Sequence, residues 1–333
     1  MTPTTRLLSL LVILLAGSLL LPRTAHAADP VVCSASVSQI NFGTVDPSTA
    51  GNTDVSATLT WSCHNTTNNQ YNATVCFNIG NGPSGLDANN NRQIQGPGGS
   101  LGFQVYSDPS RTQVWGSVTS SPYSQPVQRD FPIDKKNKAG GTVSGTIPVY
   151  GRLMGSQPAV TAGTYATTIS APDVRISGEL SSRGYGSCST TGNSDAGNFD
   201  PMVITANVQP VCTVTATDLD FGPITGFLTS NYDSSSTIGV TCVNGTSYSI
   251  GLDSGLNYSG SQRQMSGPGG YIGYELYRDS GRSQVWRSTP GPDAKTGTGN
   301  GSTQNLTVYG RVPPQTTPSA GDYQDTVTVY MTY

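Results

Sequence analysis

The sequence predicts an all-β protein made of two tandem antiparallel sandwiches. Three observations lead there: short alternating runs rich in Val, Thr and Tyr; no helix-length amphipathic pattern beyond the first residues; and an internal repeat spanning most of the chain.

Reading from the N-terminus, Arg6 precedes an apolar stretch, Leu7 to Leu21, that Pro22 breaks, and Ala25-His26-Ala27 follows as a small-x-small cleavage pattern. These are the parts of a secretory signal peptide, assigned to residues 1–27. The apolar stretch is short for a bilayer span, which needs about 20 residues. The remaining chain has room for two domains. Charged residues make up 11% and the net charge is -3. This balance offers nothing basic enough for a nucleic-acid partner, and it suits thin sandwiches with polar outer faces rather than a disordered chain.

The repeat sets the order of elements. Cys33 then Ile40-Asn41-Phe42-Gly43 returns as Cys212 then Leu219-Asp220-Phe221-Gly222. Arg92-Gln93 with Gly96-Pro97-Gly98-Gly99 returns as Arg263-Gln264 with Gly267-Pro268-Gly269-Gly270. Val114-Trp115 matches Val285-Trp286, Val149-Tyr150-Gly151-Arg152 matches Val308-Tyr309-Gly310-Arg311, and Ala162-Gly163-Thr164-Tyr165 matches Ala320-Gly321-Asp322-Tyr323. The expected domains are therefore residues 28–208 and 209–333. Runs such as Thr237 to Cys242 and Ser247 to Leu252 alternate as half-buried strands do, and the Gly-Pro-Gly-Gly segments are turns between strands. The repeated Trp115 and Trp286, Phe42 and Phe221 read as core anchors. Arg152 and Arg311 read as structural arginines.

Six cysteines behind a signal peptide point to disulfides rather than a metal site. Cys33 and Cys63 are 30 positions apart, as are Cys212 and Cys242, so one bridge is expected in each copy. Cys76 and Cys188 have no counterpart in the second copy and are expected to pair with each other. His64 is the only histidine after the signal, and the carboxylates lie scattered in turns. No catalytic constellation, metal site or cofactor is expected, and the chain reads as a non-enzyme.

These motifs resemble the spore coat protein U-type domains, the pilin domains of archaic (Csu-type) chaperone–usher pili. The likeness rests on the Cys then hydrophobic-x-Phe-Gly opening, Arg-Gln-x-x-Gly-Pro-Gly-Gly, Val-Trp, Val-Tyr-Gly-Arg and the closing Ala-Gly-x-Tyr-x-Asp-Thr-Val-Thr-Val. It covers the second copy almost fully and the first more loosely, because residues 171–208 have no counterpart. The resemblance implies immunoglobulin-like sandwiches, the second lacking its last strand. A chaperone strand would fill that gap in the periplasm, and a strand from the adjacent pilin subunit would fill it in the fibre. Val327, Val329, Met331 and Tyr333 alternate on one face of the final run and are expected to line the donor-strand groove. Met202 to Val208 is expected to complete the first sandwich within the chain.

Only Ala28 to Val32 would precede Cys33 after cleavage, too few for a donated strand. The expected role is thus a tip subunit, a two-domain adhesin that accepts a strand, attaches to an abiotic or host surface and supports biofilm formation. Its partners would be a periplasmic chaperone, an outer-membrane usher and an adjacent pilin, and its route would run through the periplasm to the cell surface. Leu153, Met154, Ala159 and Val160, where the two copies differ, are the expected surface-binding loops. The alternatives are a structural coat or pilus-shaft protein and a secreted carbohydrate-binding protein.

Overall fold

A computed structural model describes residues 30–48, 50–189, 194–287 and 291–333. The expected signal peptide, residues 1–27, lies outside the described residues. Those described are all-β, with no helix among them. The first half holds β1 (Val31–Val37), β2 (Ile40–Val45), β3 (Thr53–Asn65), β4 (Tyr71–Ile79), β5 (Arg92–Gly96) and β6 (Gly99–Tyr106). It continues with β7 (Val127–Ile133), β8 (Thr142–Leu153), β9 (Gly163–Ile169), β10 (Val174–Ser181), β11 (Ser194–Phe199) and β12 (Met202–Val208). The second half holds β13 (Cys212–Ala216), β14 (Tyr232–Cys242), β15 (Ser247–Leu252), β16 (Tyr258–Ser259) and β17 (Gln262–Gly267). It ends with β18 (Gly270–Tyr277), β19 (Lys295–Thr298), β20 (Thr303–Val312) and β21 (Val329–Thr332).

Alternation drives both halves to fold this way. In β3 and β8, every second residue along the C-terminal part turns inward, so Leu59, Trp61 and Cys63 meet Ile147 and Val149. One apolar cluster, including Leu59, Phe77, Phe103, Trp115 and Tyr165, forms the first core. A second, including Ile238, Ile250, Leu276, Trp286 and Val308, forms the other. Trp115 and Trp286 also satisfy their indole N–H groups, Trp115 donating to the Phe77 carbonyl at 2.7 Å and Trp286 to that of Ile250 at 2.8 Å. The Gly-Pro-Gly-Gly segments close the β5–β6 and β17–β18 hairpins, with Gly99 at φ 121° and Gly270 at φ 105°.

The cysteines of each repeat lie directly opposite one another in antiparallel ladders, Cys33 against Cys63 and Cys212 against Cys242. Both pairs are bridged, with Cα atoms 4.0 and 4.1 Å apart, the spacing of a closely apposed cross-strand pair. Cys76 on β4 is bridged to Cys188 in the segment between β10 and β11.

Hydrogen bonding runs unbroken through the first half's strands in the order β2-β12-β9-β5-β6-β8-β3-β1-β11-β10-β4-β7. Two segments close that circuit: β11 lies parallel to β1 and antiparallel to β10, and β12 lies parallel to β2 and antiparallel to β9. The second half has no such closure among its described residues. It divides into β13-β14-β20-β18-β17-β16 and β19-β15-β21, leaving β13 and β21 as edges.

Candidate functional site

The seam between the first and last strands is where the two copies part ways. In the first half the seam lies between β1–β2 and β9–β10, and residues 194–208 fill it as one long strand kinked at Asp200-Pro201. Its inward positions Phe199, Met202, Ile204, Ala206 and Val208 are all buried. They cover Ile40, Phe42, Tyr165 and Ile169, none more than 4% exposed.

The matching residues of the second half are Leu219, Phe221, Tyr323 and Val327, and each is only partly buried. They line an open groove of about 370 Å³, whose floor is Ile238, Leu252, Met265, Leu276 and Val308. A neighbouring hollow of about 730 Å³ shares Leu219, Phe221, Met265 and Tyr323 with it and continues toward Ile224 and Leu228. Removing apolar side chains from water is worth about 25 cal/mol per Å², so an unfilled apolar seam beside two edge strands is a surface primed to bind.

One polar pair interrupts the groove. Tyr274 donates to Asp325 Oδ2 at 2.7 Å, where the first half has Phe103 and Thr167. Burial, reinforced by that carboxylate, pushes the Tyr274 hydroxyl well above the ordinary tyrosine range. Asp325 Oδ1 also accepts from the Leu256 and Thr326 amides, both at 2.9 Å, so the pair ties the closing strand to the turn after β15.

Of the residues singled out on the final run, Val327 and Val329 line the groove and Met331 packs against its core. Tyr333 is 60% exposed, beside a shallow hollow bordered by Ser247, Ser249 and Thr298. The expected surface-binding loop needs correction. Leu153 and Val160 are 3% and 4% exposed within the first core, and the Ala159 carbonyl accepts a 2.7 Å hydrogen bond from Asn244 of the second half. Only half-buried Met154 of the group lies outside the first core or the contact with the second half. Arg152 and Arg311 each grip a carboxylate with two parallel bonds of 2.7 and 2.8 Å, to Asp54 and Asp233.

Sequence reasoning missed Arg92 and Arg263 as core residues. The repeated Arg-Gln signal was visible, but nothing in it says that the guanidinium is buried.

The Spore Coat Protein U domain family matches residues 23–171 and 199–330. No curated protein is significantly similar to the chain. Among solved structures, the chain is similar to the CsuC–CsuE chaperone–tip adhesion subunit pre-assembly complex from archaic chaperone-usher Csu pili of Acinetobacter baumannii, at 17% identity and TM-score 0.47, covering 91% of this chain and 100% of that one. It is also similar to the CupB6 tip adhesin from Pseudomonas aeruginosa, at 14% identity and TM-score 0.34, covering 90% and 94%. A chaperone–tip adhesin complex of CFA/I fimbriae biogenesis follows at 11% and 0.28, covering 88% and 95%. The two family matches take in both repeats and most of the sequence, and the chain belongs to the Spore Coat Protein U domain family.

Proposed function

We propose that this protein is an end subunit of a chaperone–usher type fibre, without enzymatic activity. Its second half accepts a strand from another chain, and its first half is free to meet a surface. The observation that carries this reading is the contrast between the two seams: one filled by residues 194–208, the other open and apolar. The first half needs no partner strand, so among the described residues the place for a neighbour's strand is the seam of the second. Val31 and Val32, just ahead of Cys33, are built into the first half's own ladder against Asn65 and His64. An exported chaperone would hold the open seam in the periplasm until an adjacent pilin replaced it at an outer-membrane usher, which accounts for export and surface display. Strand addition suits this task because main-chain bonds give affinity and alternate side chains give selectivity.

The test is to express the chain in a periplasm with and without its chaperone, and to label it on assembled fibres. The expected result is accumulation only with the chaperone, and label at one end of each fibre. Folded monomer accumulating equally well alone would remove the acceptor reading, and label along the whole length would make it a shaft or coat protein.

A further inference from the structure

We propose that the end of the first half farthest from the second is a cationic platform that docks an acidic polysaccharide. The proposal deepens the surface-contact reading above and rests on it for which half meets the surface; what it adds is the chemistry of that surface.

Three of the chain's four lysines, Lys135, Lys136 and Lys138, lie within one turn, residues 134–141, between β7 and β8. All three are exposed. Among the described residues none of them is in an ion pair, whereas Arg152 and Arg311 are gripped by Asp54 and Asp233. The only acid in the turn, Asp134, is half-buried. Exposed Arg183 follows the end of β10 that pairs with Asn72, and Asn72 pairs with Pro132 just ahead of the turn, so it adds a fourth positive charge to this end.

The lysines are held in place. Asn137 takes φ 63°, the Lys138 amide donates to the Lys135 carbonyl at 3.2 Å, and the Gly141 amide donates to that of Lys138 at 2.9 Å. The neighbouring turn, residues 64–70, is fastened to this one. Asn65 is 0% exposed and donates from Nδ2 to the Asn69 and Asp134 carbonyls at 2.7 and 2.8 Å. Its Oδ1 accepts from the Thr67 amide at 2.8 Å, and the Lys136 amide donates to the Thr67 carbonyl at 2.8 Å. Because one buried amide fixes both turns, little loop ordering remains to be done on binding.

This end faces away from the second half. β8 begins directly after the lysine turn and ends at Leu153, ahead of the segment whose Pro158 and Ala159 meet Gly301 and Asn244. Its 12 residues at about 3.3 Å each place the two ends about 35 Å apart. In the second half the matching end is covered: its shorter turns, residues 243–246 and 299–302, carry no charged side chain and lie against the first half. The same end of the same fold is an interface in one copy and a lysine-bearing surface in the other.

Ammonium groups act as point charges that pair with carboxylate or sulfate without demanding a bidentate geometry. Exposed Asn68 and Gln70 on the adjoining turn add amide donors and acceptors suited to sugar hydroxyls. Neither turn carries a large apolar side chain to enter a bilayer, nor a Phe, Tyr or Trp on which unpaired bases would stack. A polymer that repeats an acidic group among hydroxyls matches what the two turns present.

The test titrates the full chain, bound to its chaperone, with polygalacturonate, dextran sulfate and neutral dextran at low and high salt. The parent is compared with two triple variants of the exposed turn, Lys135, Lys136 and Lys138→Gln and the same three →Arg, with melting temperature as the check on folding. The parent is expected to bind at least one acidic polymer, more weakly at high salt, and not dextran; which polymer binds tells carboxylate from sulfate. Exposed ion pairs are worth a few fold each, so the Gln variant should bind about tenfold or more weakly while the Arg variant keeps its affinity. Equal binding by the Gln variant, equal binding of dextran, or tighter binding of DNA or of anionic lipid vesicles would overturn the proposal. Any of these leaves chaperone dependence and end labelling untouched; a chain that folds without chaperone would remove the acceptor reading, and the same titration would then be made on free monomer.

Discussion

Arg92 and Arg263 occupy matching places in the two halves, 1% and 0% exposed, and each gives its guanidinium to main-chain carbonyls. Arg92 donates to Gly80 at 2.7 Å, Trp115 at 2.8 Å and Ile79 at 2.9 Å; Arg263 donates to Asp253 and Trp286 at 2.8 Å and to Leu252 at 3.2 Å. The partner across the core differs: Gln104 faces Arg92, whereas Glu275 faces Arg263 and also takes Arg287 at 2.7 Å. Burial pushes the Arg92 guanidinium down to about 10, opposed more weakly by Tyr123 and Asp173 nearby, so it remains charged at neutral pH. Its neutralisation comes from aimed carbonyl dipoles. Arg92→Met would leave those carbonyls buried and unpaired, at about 1–3 kcal/mol each. The expected result is loss of the first half's transition in urea unfolding, with the second half's midpoint unmoved. Asp54 and Asp233 give a second prediction at this scale. The Arg152 and Arg311 bonds hold their carboxyls below the ordinary value of 3.8. Stability from these pairs is therefore complete above pH 3.8 and disappears as pH falls through the lower folded values. The double variant Asp54→Asn, Asp233→Asn should be less stable at neutral pH and show a flatter fall in urea midpoint below pH 4 than the parent.

At the scale of elements, the fate of each half turns on β12. Ile204 is fully buried between Ile40 and Thr167, and aspartate there would place a carboxylate in an apolar seam. Ile204→Asp should cost about 3 kcal/mol or more and open the first half as the second is open, visible as rapid protease cleavage within 194–208. Intact resistance would mean that β12 is not what closes the first half. The strand pattern itself was legible because alternation and the repeat are local properties: Val327 and Val329 declare an inward face in the sequence alone. Equal cysteine spacing in two copies is equally local, and the bridges lie across single ladders. The environment of a segment is not local. Leu153 to Val160 reads as a variable loop because its counterpart differs, yet Leu153 and Val160 are buried in the first core and Ala159 meets the second half. Arg92 hides for a similar reason, since polarity marks it for the surface while the carbonyls that hold it come from two separate segments, Ile79-Gly80 and Trp115.

At the scale of the molecule, the two halves meet through a small apolar and polar junction. Val243 belongs to the second half by sequence, but it packs with the first half's core at 4% exposure. Asn244 bridges to Thr161 and donates to Ala159, and Gly245 and Gly301 fit closely against Thr161 and Pro158. The linker itself is short: the Val243 amide donates to the Val211 carbonyl at 3.0 Å, tying the turn after β14 to the segment that joins the halves. In the proposed role, load would pass across this point, and bending the junction would expose the apolar Val243 side chain. Val243→Ser removes that apolar contact and adds a hydroxyl, a change worth about 1–3 kcal/mol at a buried site. The expected result is a broader distribution of interdomain distances in solution scattering and faster proteolysis near Pro210, with both halves still unfolding as separate cooperative units. An unchanged scattering profile would mean that the short linker alone sets the angle between the halves, and that Val243 serves only the first core.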